Sequence, residues 1–277
     1  MNDFPKGPRP VTPRGWVSLT LAGTAIGLAV AGPAAADTPL DGPERLWLAQ
    51  GTEAGEGGEA GEAGTEASGD EVVDLLKDLG LIEGHLRAGV ALYRAGLADQ
   101  AAHHMKHPQD EIYDELSFHL ADFGAEGFAE ELTALATAVE SGQPVEAVDA
   151  ALAEVLKAIA GARGHANASD AEGARAMVAI LRQAADEYGD GVKDGGVTEL
   201  QEYQDAWGFL EAVRDQAAHM AGEEDAAKKT FGEKTLAALD TAREALPDVS
   251  PEGRTLGDAS ALHAAVATVE LAAYQLR

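Results

Sequence analysis

The 277-residue sequence contains no cysteine. That absence excludes disulfide staples, thiolate metal sites, iron–sulfur clusters and covalently attached c-type haem. Any metal must be held by histidine, methionine, carboxylate or carbonyl oxygen. Aromatic residues are also scarce, at 5% of a chain that is 45% hydrophobic. Alanine supplies much of the apolar remainder and favours helix over strand. Basic residues number 20 against 48 acids, a net charge of −28. A surface this negative repels nucleic acid and anionic lipid, and it enriches cations. Catalytic signatures are missing as well. There is no Gly-x-Ser-x-Gly elbow, no phosphate-binding glycine loop and no His-Glu-x-x-His pair, so the protein is not expected to be an enzyme.

Long hydrophobic runs are confined to the start. Lys6, Arg9 and Arg14 precede an apolar stretch from Trp16 to Ala31, followed by Gly32-Pro33 and Ala34-Ala35-Ala36. This basic, apolar, small-residue order predicts a signal peptide over 1–36, cut after Ala36. The apolar stretch is short for a membrane span, so cleavage is favoured over anchoring. The mature chain is then expected in the periplasm without stable membrane insertion. Losing three basic residues and one acid leaves 17 against 47, a charge of −30.

Residues 37–70 read as a disordered acidic tether, because the Gly, Glu and Ala run from Gly51 to Gly69 has nothing to bury. From Glu71 the pattern turns helical. Val72, Val73, Leu75, Leu76, Leu79, Ile82, Leu86, Val90 and Tyr93 recur at helical spacing up to Gly96. A short helix is expected from Leu97 to about Lys106, stopped by Pro108 because proline disfavours a helical residue before it. Pro108 suits the first turn of the next helix, which runs to Gly124. Further helices are expected at 126–141, 145–163, from Asp170 to Tyr188, and at 197–221, 224–245 and 256–276. No stretch alternates like a strand, so no sheet is expected. The fold class predicted is all-α, an antiparallel helical bundle or two packed bundles related by a degenerate repeat. The domains would be 71–164 and 168–277. Asp99-Gln100-Ala101-Ala102-His103-His104-Met105 is echoed by Asp215-Gln216-Ala217-Ala218-His219-Met220, a weak sign of duplication.

Five of the eight histidines lie between residues 85 and 119. His103 and His107 are four apart and share a helix face, and His107 sits at the Pro108 corner with Glu111 one turn on. His104 is three before His107, and His85 stands on the preceding long helix. The candidate metal ligands are therefore His103, His107 and Glu111, with His85 and His104 next. Imidazole with carboxylate suits zinc, iron, copper(II) or nickel, and Met105 adds a donor for copper(I). The competing reading is that histidines at helix ends cap carbonyls. Glu111, Glu115 and His119 continue at four-residue spacing, which reads more readily as a solvated face.

The second half carries Glu187-Tyr188, then Val192-Lys193-Asp194-Gly195, then Glu202-Tyr203-Gln204-Asp205 and Phe209. This series resembles the periplasmic imelysin-like helical region at the front of bacterial high-affinity iron permeases, over about residues 170–277. The resemblance implies an exported helical module associated with iron uptake. The imelysin Gly-x-His-x-x-Glu metal motif is absent, for Gly84-His85 is followed by Ala88 in the glutamate slot. Read without the resemblance, Tyr188 and Tyr203 are core residues whose hydroxyls need partners, and Glu187, Glu202 and Asp205 are exposed acids.

The function expected is a periplasmic transition-metal-binding protein that presents or buffers iron, or failing iron copper or zinc, for a membrane iron permease or other envelope transporter. The alternative is a non-metal envelope module that docks a membrane partner; an envelope hydrolase ranks last. Neither the metal's oxidation state nor the oligomeric state is legible.

Overall fold

Asp70 opens the first helix. Its carboxylate accepts from the backbone N–H groups of Val72 at 3.2 Å and Val73 at 3.4 Å, donors that a helix start leaves unpaired. The computed structural model describes residues 68–251 and 253–276, the side chains of Asp110 and Glu111 excepted. The leader expected over 1–36 and nearly all of the tether expected over 37–70 lie outside the described residues.

Helix α1 spans Glu71–Arg94 and is buried on almost every side. Leu75, Leu79, Ile82, Leu86 and Val90 supply its apolar surface, but Lys77, Glu83 and His85 are buried too. A helix enclosed all round belongs to the centre of a body, and α1 does. It packs most extensively against α7 (Leu200–Ala221) and α2 (Ala98–Pro108), and also against α5 (Val145–His165) and α6 (Asp170–Gly191).

The Pro108 break does not occur. Helix α2 runs into a π-helical turn, Gln109–Tyr113, and on into α3, Asp114–Asp122. Proline has no N–H to give and its ring crowds the carbonyl four residues back; a wider i→i+5 turn passes that point without ending the helix. Helix α4 (Ala129–Glu140) meets α5 at Ser141-Gly142-Gln143-Pro144, where Gly142 takes φ +64°.

The second half begins with a capping box. Ser169 Oγ accepts from Glu172 N at 3.2 Å, and Glu172 Oε2 accepts from Ser169 N at 2.6 Å. Helices α6, α7, α8 (Ala226–Ala242) and α9 (Ser260–Ala273) form a ring in which each packs on the next and α9 returns to α6. That is a four-helix bundle, and α1 lies against its α6–α7 side. The all-α expectation holds, with one addition. Val192–Lys193 (β1) pairs antiparallel with Gly196–Val197 (β2). Asp194 and Gly195 both have positive φ, at 52° and 78°, which makes the twisted two-residue turn that favours a hairpin. Two-residue strands are too short to show alternation in sequence.

Tyr188 and Tyr203 are fully buried in the bundle. Their hydroxyls donate to Gly257 O at 2.8 Å and Asp248 O at 2.7 Å, both in the connection between α8 and α9. Burial pushes the Tyr188 phenol up to about 12 and raises that of Tyr203 further.

Candidate metal centre

Three helices meet at one buried polar cluster, and glycines set how closely they approach. Gly84 on α1 lies against Gly208 on α7. A Cβ on Gly84 would stand 3.0 Å from Phe209 N and 3.1 Å from Gly208 C, and would overlap the Phe209 ring. A Cβ on Gly208 would overlap the Gly84 carbonyl. On the α2 side, a Cβ on Gly89 would stand 3.2 Å from both Ala101 O and His104 Cβ. These contacts bring the three backbones close together around the cluster.

His85 follows Gly84, Asp205 precedes Gly208 by three, and His104 faces Gly89. All three are buried, with relative exposures of 0%, 4% and 1% in that order. His85 Nδ1 lies 2.6 Å from Asp205 Oδ1, and His104 Nδ1 lies 2.9 Å from the same oxygen. Their ligand atoms fall within 4.8 Å of one another, and among the described residues this is the group arranged to hold a metal ion. Burial alone would discourage ionisation of Asp205. The two imidazoles outweigh it, and the carboxyl is held well below the usual carboxylate range.

His104 is oriented from its far side. Its Nε2 lies 2.9 Å from Gln204 Oε1, and Gln204 Nε2 donates to Gln100 Oε1 at 2.7 Å. With the amides in this orientation, His104 Nε2 donates to Gln204. Its Nδ1 is buried and stands 2.9 Å from a carboxylate oxygen of Asp205. Two lone-pair atoms held that close repel unless a cation, a proton or a metal, lies between them. An outer acceptor that fixes the tautomer is also the usual second partner of a metal-bound histidine. The residues present therefore fit a metal: two nitrogens and one carboxylate oxygen suit iron(II), zinc, copper(II) or nickel.

The imidazoles extend outward from the triad. The His107 ring centroid lies 4.9 Å from that of His85, His103 lies 6.0 Å from His107, and His85 lies 6.3 Å from His104. An imidazole nitrogen at about 2.0–2.1 Å from an ion puts its ring centroid roughly 3.2 Å away, so two rings sharing an ion stand at most roughly 6.4 Å apart, and about 5 Å in a tetrahedral site. Every one of these pairs lies inside that limit. His103 and His107 are half-buried, whereas His85 and His104 are enclosed.

Of the ligands expected from sequence, the structure brings His85, His104, His107 and His103 together. The Glu111 side chain lies outside the described residues, and Glu115 and His119 are exposed on α3. The acid at the centre is Asp205, which sequence reasoning had placed on the surface; Glu187 is buried as well, accepting from Gln183. A signal for Asp205 existed. It shares a helical stripe with Gly208, Phe209 and Ala212, all buried, so a charge there had to be inside.

Beside the triad sits a second buried acid. Glu83 takes Arg87 Nε at 2.7 Å on one oxygen and Arg163 Nη1 at 2.7 Å on the other, and Arg87 reaches Asp215 at 3.0 Å. These pairs tie α1 to α5 and α7 next to the site.

Residues 164–276 match the iron permease-associated 4-helix bundle domain. The match covers α6 to α9 and links that half to iron uptake and to a membrane iron permease; it says nothing of imelysins. No curated protein and no solved structure matches the chain. Asp205 and Gln204 come from the permease-associated half, whereas His85 and His104 come from the helices before it. Among the described residues no helix is long and apolar enough to cross a membrane.

Proposed function

We propose that the protein binds a transition metal, iron first among the candidates, at His85, His104 and Asp205, and presents it to a membrane iron permease from the periplasmic side. The observation that carries the reading is the His104 geometry: its Nε2 lies 2.9 Å from Gln204 Oε1 and its Nδ1 lies 2.9 Å from an Asp205 oxygen, a gap that a cation, a proton or a metal, must bridge. The permease-associated match supplies the uptake context. The basic, apolar, small-residue start supplies the compartment. The protein acts as a carrier and not as an enzyme, since two imidazoles and one acid hold an ion without adding a nucleophile or a general acid in an open cleft.

The test is metal analysis and calorimetry on the exported chain with iron(II) under anaerobic conditions. The reading expects one ion per chain and at least a tenfold weaker affinity in Asp205→Asn, which keeps the side-chain shape and removes the charge. Equal affinity in the two proteins would remove the site from consideration.

A docking module that needs no metal is the second reading, compatible with the same family match. Capture of a permease from envelope extract separates the readings: capture unaffected by chelator and by Asp205→Asn supports docking alone.

A further inference from the structure

We propose that His103 and His107 form the loading route through which metal reaches the buried triad, with His85 shared between the two stations. This rests on the metal-binding reading above. His85 and His104 are at most 1% exposed and Asp205 4%, so a hydrated ion has no direct contact with them from solvent. His103 and His107 stand half-buried on the same face of the last turn of α2, and the His107 ring is 4.9 Å from His85. His85 engages Asp205 through Nδ1 at 2.6 Å while its ring neighbours His107. It therefore belongs to both groups.

The backbone beneath the outer pair suits a moving station. Pro108 lies one residue after His107 and donates no hydrogen bond, and the π-helical turn begins at Gln109. The last turn of α2 is thus held by fewer helix hydrogen bonds than a regular helix would provide. Met105, on the other face of the same turn, packs against Gly89 and keeps the helix seated on α1.

The transfer is a ligand exchange. Imidazoles of His103 and His107 replace two waters of the arriving ion. His85 then adds, and the bonds to His103 and His107 break and return those positions to water as bonds to Asp205 Oδ1 and His104 Nδ1 form. Any proton held between His104 Nδ1 and Asp205 is released to solvent. No electron moves.

The experiment is stopped-flow loading of the exported full chain with cobalt(II), followed by visible absorption, with stoichiometry read at equilibrium. Circular dichroism checks each variant for folding. His103→Ala/His107→Ala is expected to bind one cobalt per chain as the parent does, but at least tenfold more slowly. Asp205→Asn is expected to keep a fast, weak phase at the outer pair and lose the tight one. An unchanged loading rate in the double variant overturns the route. So does loss of its tight site, which would make His103 and His107 ligands of a single centre. No cobalt uptake by the parent defeats the metal-binding reading itself, and the route with it.

Discussion

Replacing Gly84 with alanine should loosen the His85–His104–Asp205 cluster without changing any of its three side chains. The added Cβ would stand 3.0 Å from Phe209 N and 3.1 Å from Gly208 C, both backbone atoms that cannot swing aside. Ordinary contact begins at 3.4 Å, so α1 and α7 must part by about 0.4 Å. His85 is the next residue, and its 2.6 Å contact with Asp205 lengthens with the helices, to roughly 3.0 Å, which weakens the hydrogen bond. Overpacking of this kind costs about 1–3 kcal/mol. For a body of this size that lowers Tm by about 2–4 °C per kcal/mol. Loss of ligand positioning of this sort weakens metal affinity by about 10–100-fold. Thermal unfolding with and without metal, together with calorimetry, reads both effects. Gly161→Ala in α5 is the control, because nothing lies within 4 Å of its Cβ position. That change should stabilise by about 0.5–1 kcal/mol through helix propensity alone. A Gly84→Ala protein with parental Tm and parental metal affinity would refute the idea that the glycine contact sets the site.

Two other outcomes follow from the buried charges. Arg163→Met leaves one oxygen of the enclosed Glu83 without its 2.7 Å partner, and loss of one member of a buried pair costs about 3–5 kcal/mol; denaturant midpoints of Arg163→Met and of the doubly neutral Glu83→Gln/Arg163→Met should show the double change to be the milder. Asp205 is held below the ordinary carboxylate range, so it contributes stability above its unfolded value and loses that contribution as pH falls toward its folded one. In chelator, the stability gap between the parent and Asp205→Asn should narrow as pH falls below about 4. A gap that widened in acid would contradict the assignment.

Most of the helices were legible because their apolar residues recur every three to four positions and Gly96 and Gly124 mark the ends of two of them. Pro108 was misread because a local rule about proline takes no account of the π-turn, which tertiary packing on both sides makes tolerable. The imidazole half of the site was legible too, since four histidines around one helix–turn form a dense local signal. Its carboxylate was not. Asp205 lies 120 residues from His85, and nothing in a one-dimensional pattern states that α7 crosses α1 at Gly208. The tyrosine pairs drew attention to the right helix for a different reason: Tyr203 pins the α8–α9 connection, while its neighbours Gln204 and Asp205 face the site.

The His85–Asp205 contact has a topological meaning for a chain with no cysteine. An ion bound across it ties together positions 120 residues apart, as a disulfide would. On chain-entropy scaling a cross-link closing a loop of that length removes about 4–5 kcal/mol of freedom from the unfolded ensemble. Unlike a disulfide, this staple needs no oxidant and comes out with a chelator. Loading the cargo and locking the fold would then be one event, and surrendering the cargo would leave α1 and α7 joined by their packing, the His85–Asp205 hydrogen bond and the Arg87–Asp215 pair.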